Sequence, residues 1–205
     1  EFAKMIRKKI ISSGGKIPSE SFRNNSLEME KLRLIDPIKS EVIIIDNDKP
    51  VVGATVVAIA DNSTTKKSIT SKEGIAQFKI HTQRNYTLLI AHPMYNAIII
   101  NDWDPSQNGL KISMPKENDF GSIIIESTGY IPGFEGRLNP ILDTHNRMYL
   151  YAGNIAINGG LQQPVHFEIG VPFQLEDSNG TIIQIFCKYI NGSTSLFQYT
   201  KNSLI

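Results

Sequence analysis

From residue 41 onward, apolar side chains fall into short runs that are separated by turn-forming residues. Each run is about five residues long, and glycine, proline, asparagine or aspartate divides it from the next. No helical crossover is available between these runs, so the sheets should be antiparallel. Strands of this length and spacing are typical of a β-sandwich or barrel. The runs in the first half of the chain are 42–45, 55–59, 75–80, 86–91, 96–100 and 110–114.

The first 39 residues follow a different pattern. Residues 2–11 place apolar side chains at helical spacing, and the serines and glycines of 12–15 end that pattern. A second apolar segment, 27–35, follows a possible capping box and is closed by Pro37. Residues 1–39 are therefore predicted to be a short helical lead-in and linker.

Strand-like runs resume after a polar joint at 116–121. A loop at 129–140 carries three glycines and two prolines, and hairpin turns are predicted at 177–180 and 191–193. Residues 120–205 are expected to form a second small β barrel or sandwich, and no family is recognised in them. The runs are 122–126, 148–157, 165–169, 173–175, 182–189 and 195–199.

Four segments carry a resemblance to a known family. They are Asp46 to Val56, Thr70 to Phe78, Tyr86-Thr87-Leu88 and Pro93-Met94-Tyr95. In order and spacing they resemble the carboxypeptidase regulatory-like domains, which share a transthyretin-like sandwich with the collagen-adhesin B-repeat modules. The resemblance covers residues 40–115 and implies an antiparallel transthyretin-like sandwich. Such domains are usually non-catalytic appendages that stabilise, space or dock a partner domain.

The sequence departs from the family pattern at two places, which affect the predicted loop and the predicted crosslink. Methionine stands at position 94, where the family often has glycine, so a different local loop is expected. B-repeat modules commonly place a glutamate after the strand that matches 86–88, where it assists a Lys–Asn isopeptide bond. This chain has Leu89-Ile90 there, so no crosslink is expected.

Composition and charge narrow the function classes. The chain is 40% hydrophobic and 20% charged, which predicts a packed core. A net charge of +1 gives no overall field toward nucleic acid or an anionic membrane, and neither partner is expected. No apolar run is long enough for a membrane helix. The chain has a single cysteine, Cys187, so an intrachain disulfide is excluded. The absence of disulfides favours the cytoplasm slightly over secretion. We expect the Cys187 thiol to be buried.

The densest polar cluster lies in the loop at 142–147. Asp143 and His145 could form an acid–base pair or supply two metal ligands, but alternate side chains of an extended loop diverge, and bonding to the loop backbone is favoured. Tyr149 and Tyr151 share one face of the following strand. Their rings could stack on nucleic-acid bases or contact a bound peptide, or they could pack under the glycine-rich loop. The candidate binding residues are Arg137, Asp143, His145, Arg147, Tyr149 and Tyr151.

These observations predict a mainly β, non-catalytic interaction or scaffolding region of a larger protein. Its expected partner is another protein or an upstream domain of the same protein, and no catalytic residue, metal or cofactor is expected. No familiar catalytic signature occurs in the sequence. The alternative is a small hydrolase or nuclease that uses Asp143, His145 and Arg147, and a nucleophilic pair of His166 with Cys187 is a further option.

Overall fold

The structure is a computed structural model and describes residues 37–60, 65–82, 84–116 and 118–201. These residues form sixteen β-strands and no helix, which confirms the predicted mainly β, antiparallel class. The predicted helical lead-in lies outside the described residues, apart from the last residues of its linker.

The first eight strands are β1 (Ile38–Asp46), β2 (Lys49–Pro50), β3 (Thr55–Ala60), β4 (Thr65–Ile69), β5 (Ile75–Ile80), β6 (Tyr86–His92), β7 (Tyr95–Trp103) and β8 (Leu110–Ser113). The other eight are β9 (Phe120–Glu126), β10 (Arg137–Leu142), β11 (Met148–Gly153), β12 (Ile155–Ile157), β13 (Val165–Phe167), β14 (Pro172–Asp177), β15 (Ile182–Asn191) and β16 (Thr194–Thr200).

The strands form four sheets. Sheet A has β1 at its centre, with β2 and β5 antiparallel to it and β8 parallel to it. Sheet B has the order β4-β3-β6-β7, sheet C the order β12-β14-β15-β16-β9, and sheet D the order β10-β11-β13. The β1–β8 pair, in which Val42 lies opposite Leu110, departs from the expectation that neighbouring strands are antiparallel. The long chain path between these two strands makes the parallel pairing possible.

Sheets A and B enclose one hydrophobic core. Val42 and Ile44 of β1 meet Val56 of β3 and Leu88 of β6, and all four are fully buried. Aromatic rings close one side of this core, with the Trp103 ring centroid 5.9 Å from that of Phe78 and 6.1 Å from that of Tyr86. Sheets C and D enclose a second core, in which Phe167 of β13 lies 5.6 Å from Phe173 and 6.0 Å from Phe197, centroid to centroid.

The two middle sheets, B and C, pack against each other through their remaining faces. Val57 and Leu89 of sheet B form a third core with Ile124 and Leu196 of sheet C. Strands β3 and β6 are therefore buried on both faces, which explains why their sequences are almost continuously apolar and do not alternate. The four sheets lie in the order A, B, C, D, and Ile38–Ile205 form one compact unit.

Polar contacts fix the register of sheet B on sheet C. The buried Ser122 hydroxyl of β9 accepts a hydrogen bond from the His92 backbone N–H at 3.0 Å and donates to the Tyr95 carbonyl at 2.9 Å. At the other end of β9, Lys67 forms a 2.8 Å ion pair with Glu126. The division into 1–39, 40–115 and 120–205 stays a prediction, and these contacts cross the later of its two boundaries.

Most predicted strands and turns are confirmed, with three strands missed. The Asp46–Pro50 turn has Asn47 and Asp48 at positive φ, as a two-residue hairpin requires. Gly53 is needed for its φ of +80° alone, since nothing lies within 4 Å of where a Cβ would stand. The missed strands are β2, which has only two residues, β4, which is polar and exposed, and β10, which begins inside the predicted glycine-rich loop.

Replacing Leu89 by Ala should destabilise the fold by about 2–5 kcal/mol, because the side chain is fully buried between sheets B and C and its removal leaves a cavity. The matched control is Ile69→Ala on edge strand β4, where the side chain is 60% exposed and the loss should stay within about 0.5 kcal/mol. Urea unfolding followed by circular dichroism measures both. Equal losses in the two variants would contradict the packing of sheet B on sheet C.

Candidate functional site

The predicted binding residues cluster on the outer side of sheet D. Residues opposite each other in an antiparallel pair share a face, and Tyr151 lies opposite Asn139 while Tyr149 lies opposite His166. Arg137 follows on the same side of β10. We call this surface the tyrosine face, made of Arg137, Asn139, Arg147, Tyr149, Tyr151 and His166.

A row of stacked side chains runs across the tyrosine face. The guanidinium of Arg147 lies over the Tyr149 ring, 5.7 Å from its centroid, in cation–π geometry. On the other side, Tyr149 meets the His166 ring edge-on at 5.7 Å. Tyr151 is 43% exposed, so part of its side chain is open to solvent. That these residues bind a ligand stays a prediction.

The loop between β10 and β11 is organised by Asp143. Its Oδ1 accepts hydrogen bonds from the backbone N–H groups of His145 at 2.8 Å and Arg147 at 2.9 Å, and its Oδ2 accepts one from Arg147 Nε at 2.8 Å. The bond from the Arg147 backbone N–H is the main cause that holds the pKa of Asp143 below its usual range. The carboxylate thus closes a turn, as the favoured interpretation of this loop expected.

The acid–base pair of Asp143 with His145 does not form. The carboxylate is directed at the loop backbone, whereas the exposed His145 ring has only the Thr144 hydroxyl nearby, 3.4 Å from Nδ1. The hydrolase or nuclease alternative is therefore wrong, because its three residues do not converge on a reacting group. Within the described residues, no three His, Cys, Asp or Glu side chains are grouped so that they could hold a metal ion.

Cys187 and His166 are also kept apart. The thiol is fully buried in the core between sheets C and D, as predicted, while His166 is exposed on the tyrosine face. Burial raises the pKa of Cys187 to about 12, so little nucleophilic thiolate forms near neutral pH.

We expect Cys187 to react with dithionitrobenzoate at pH 8 more than about 100-fold slower in the native protein than in guanidinium chloride, where an ordinary thiol pKa near 8.5 returns. The absorbance of the released thiolate measures both rates. Equal rates would contradict the buried position of the side chain.

Asp177 has a role that its position in a predicted hairpin turn did not reveal. The buried carboxylate accepts hydrogen bonds from the backbone N–H groups of Asn179 and Thr181, both at 2.9 Å, and of Glu135 at 3.0 Å. These bonds, that from Glu135 above all, lower the pKa of Asp177. The residue ties the turn between β14 and β15 to the glycine-rich loop.

The substitution Asp177→Asn should lower the urea midpoint at pH 7. Because the native pKa lies below the unfolded value of about 3.9, the wild-type advantage is complete above that value and disappears as the pH falls through the native pKa. Asp48→Asn is the control, since the Asp48 side chain is 90% exposed in a 3.5 Å ion pair with Lys111. Urea titrations from pH 7 to pH 2.5 measure the effect; a difference that does not change with pH would contradict it.

A cavity of about 340 Å³ opens where four separate segments of the chain meet. Its walls come from the β6–β7 turn, the glycine-rich loop, β15 and the end of β16. No pattern in the sequence joins these segments, so the cavity was not predicted. Among the described residues, no helix is long and apolar enough to cross a membrane.

Comparison with known proteins gives a relative but no family. No family model matches the chain, and no solved structure matches it significantly. A curated relative is the 3′ cyclic ADP-D-ribose synthase AaTIR of Aquimarina amphilecti, which is 32% identical over 179 residues. The match covers 87% of this chain and 54% of the relative, so the chain spans about half of the relative's length. A match of this extent includes most of the compact unit Ile38–Ile205.

This relationship corrects the functional prediction. The chain was expected to be a non-catalytic scaffolding or protein-binding region, but the relative that it matches over 87% of its length is an enzyme. The expectation that the chain is not an enzyme is therefore wrong. The physical reason is that a fold alone does not decide function, so a β-sandwich without a familiar catalytic motif can still be part of an enzyme.

Proposed function

We propose that this chain belongs to an enzyme that makes a cyclic ADP-ribose. The observation that carries the proposal is the 32% identity to a 3′ cyclic ADP-D-ribose synthase along most of the chain. The similarity extends through the β-rich unit and is not confined to a short motif, which favours a shared role for that unit in the two proteins.

The chemistry of cyclisation defines what such an enzyme must bind. A cyclic ADP-ribose forms when the anomeric carbon of a ribose is attacked by a group of the same molecule, so the donor needs a leaving group on that carbon. NAD⁺ is a donor of this kind, and nicotinamide is its leaving group. Water competes as the nucleophile and would give linear ADP-ribose, so the enzyme must also keep water from the reacting carbon.

The tyrosine face is proposed as a contact surface of this enzyme. Tyr151 and Arg137 are exposed on it, and aromatic and arginine side chains are enriched at the centres of protein interfaces. Its partner would be another domain of the same protein or a second protein. The carboxypeptidase regulatory-like resemblance of residues 40–115 is likewise kept as a proposal, supported by the two-sheet arrangement of β1 to β8.

The proposal is tested by incubating NAD⁺ with the 205-residue chain and, in parallel, with the longest protein that its gene encodes. We expect release of nicotinamide together with a cyclic ADP-ribose isomer, which liquid chromatography and mass spectrometry separate from linear ADP-ribose. The chemical control is ADP-ribose as substrate, which has no nicotinamide to lose and should give no cyclic product. If neither folded protein consumes NAD⁺, the proposal is wrong.

A further inference from the structure

The cavity at the junction of sheets B and C has the properties of a ligand site. Its volume of about 340 Å³ lies in the lower part of the range of about 300–1,000 Å³ that is usual for small-molecule pockets. Its apolar lining includes Pro93, Met94, Pro132 and Phe134, so ring and thioether surfaces are available to a flat apolar group. Tyr199, Thr200 and Lys201 are its polar lining residues, and the Thr200 hydroxyl already accepts a hydrogen bond from the Gln184 backbone N–H at 2.9 Å.

Tyr199 brings an unused hydrogen-bond donor to this cavity. The residue is 4% exposed, and the hydrogen bonds among the described residues do not use its hydroxyl. Burial raises the pKa of Tyr199 to about 12, so the phenol stays protonated at neutral pH. The hydroxyl is not one of the sealed unpaired atoms of the described residues, which are Asn96 Oδ1 and Trp103 Nε1, so an acceptor atom on a bound ligand would replace water at it.

Lys201 brings positive charge to the same cavity. Its backbone N–H donates to the Asp119 carbonyl at 2.8 Å, which fixes the position of the residue next to the end of β16. The nearby His92 does not compete as a cation: burial is the main cause that lowers its pKa, the Lys201 charge adds to this, and its Nδ1 accepts a hydrogen bond from the Met94 backbone N–H at 3.0 Å. The cavity therefore combines apolar walls, one donor and one cationic side chain.

We infer that this cavity binds the base of an adenine nucleotide, with the Tyr199 hydroxyl donating to a ring nitrogen and Lys201 facing a phosphate. The apolar walls suit a flat ring, the Tyr199 hydroxyl suits an acceptor atom on that ring, and the Lys201 charge suits an anionic tail. The choice of adenine among such ligands rests on the proposed function, in which the substrate and the product both contain ADP-ribose.

The probe is ADP-ribose, titrated into the 205-residue chain by calorimetry. Tyr199→Phe removes the donor and keeps the ring, and should weaken binding about 3- to 10-fold. Lys201→Gln should weaken it by a similar factor at low salt and by less at 0.5 M salt. Met94→Trp, at a position 40% exposed, should fill the cavity mouth and abolish binding.

Two control variants lie outside the cavity. Tyr189→Phe removes a phenol hydroxyl elsewhere on β15, and Lys111→Gln removes an exposed charge on β8. Both should bind ADP-ribose as the wild type does. Circular dichroism and the urea midpoint establish that every variant compared is folded.

The outcomes separate this inference from the proposed function. If ADP-ribose does not bind, or binds equally well to the wild type, Tyr199→Phe and Met94→Trp, the cavity assignment is overturned even where NAD⁺ is cyclised. If ADP-ribose binds and the three cavity variants weaken binding while the controls do not, the assignment holds even where no cyclic product is formed.

Discussion

The packing of sheet B against sheet C is the interaction on which the rest of this structure depends. Each of these sheets already uses one face for its own core, with sheet A or sheet D, and each has a second apolar face. Val57 and Leu89 on one side and Leu196 on the other are fully buried only because the two sheets meet. Burial of side chains of this size contributes about 1.5–3 kcal/mol each, so the two halves of the chain are stable together as one compact unit.

The same junction also creates the cavity. Ser122 holds the start of β9 against the β6–β7 turn, and this brings Pro93 and Met94 beside Tyr199. Gly121 permits the approach, because a Cβ there would collide with the Pro93 carbonyl and the Tyr199 ring. Cavities are common at the boundary between two packed halves, since neither half alone encloses the space. The relationship to a cyclic ADP-ribose synthase gives this geometry a chemical context.

Some of the predicted site residues interact with near neighbours in the chain, and others depend on residues that are far away in the sequence. Asp143 binds the backbone two and four residues ahead, and such a turn follows from aspartate chemistry in a short loop, so its role was predictable. Strand alternation likewise placed Tyr149 and Tyr151 on one face. The contact of Tyr149 with His166 depends on the pairing of β11 with β13, which no local pattern specifies.

Local sequence patterns are enough to predict the mainly β class, most strand positions, the hairpin turns and the buried cysteine, because these depend on the side-chain period of two and on the backbone preferences of single residues. Long-range packing decided the parallel pairing of β8 with β1, the order of the four sheets and the use of the Asp177 carboxylate. It also decided the cavity of Tyr199 and Lys201. These features join residues that are far apart in the chain, and a hydrophobic run specifies that a face is buried without specifying which face covers it.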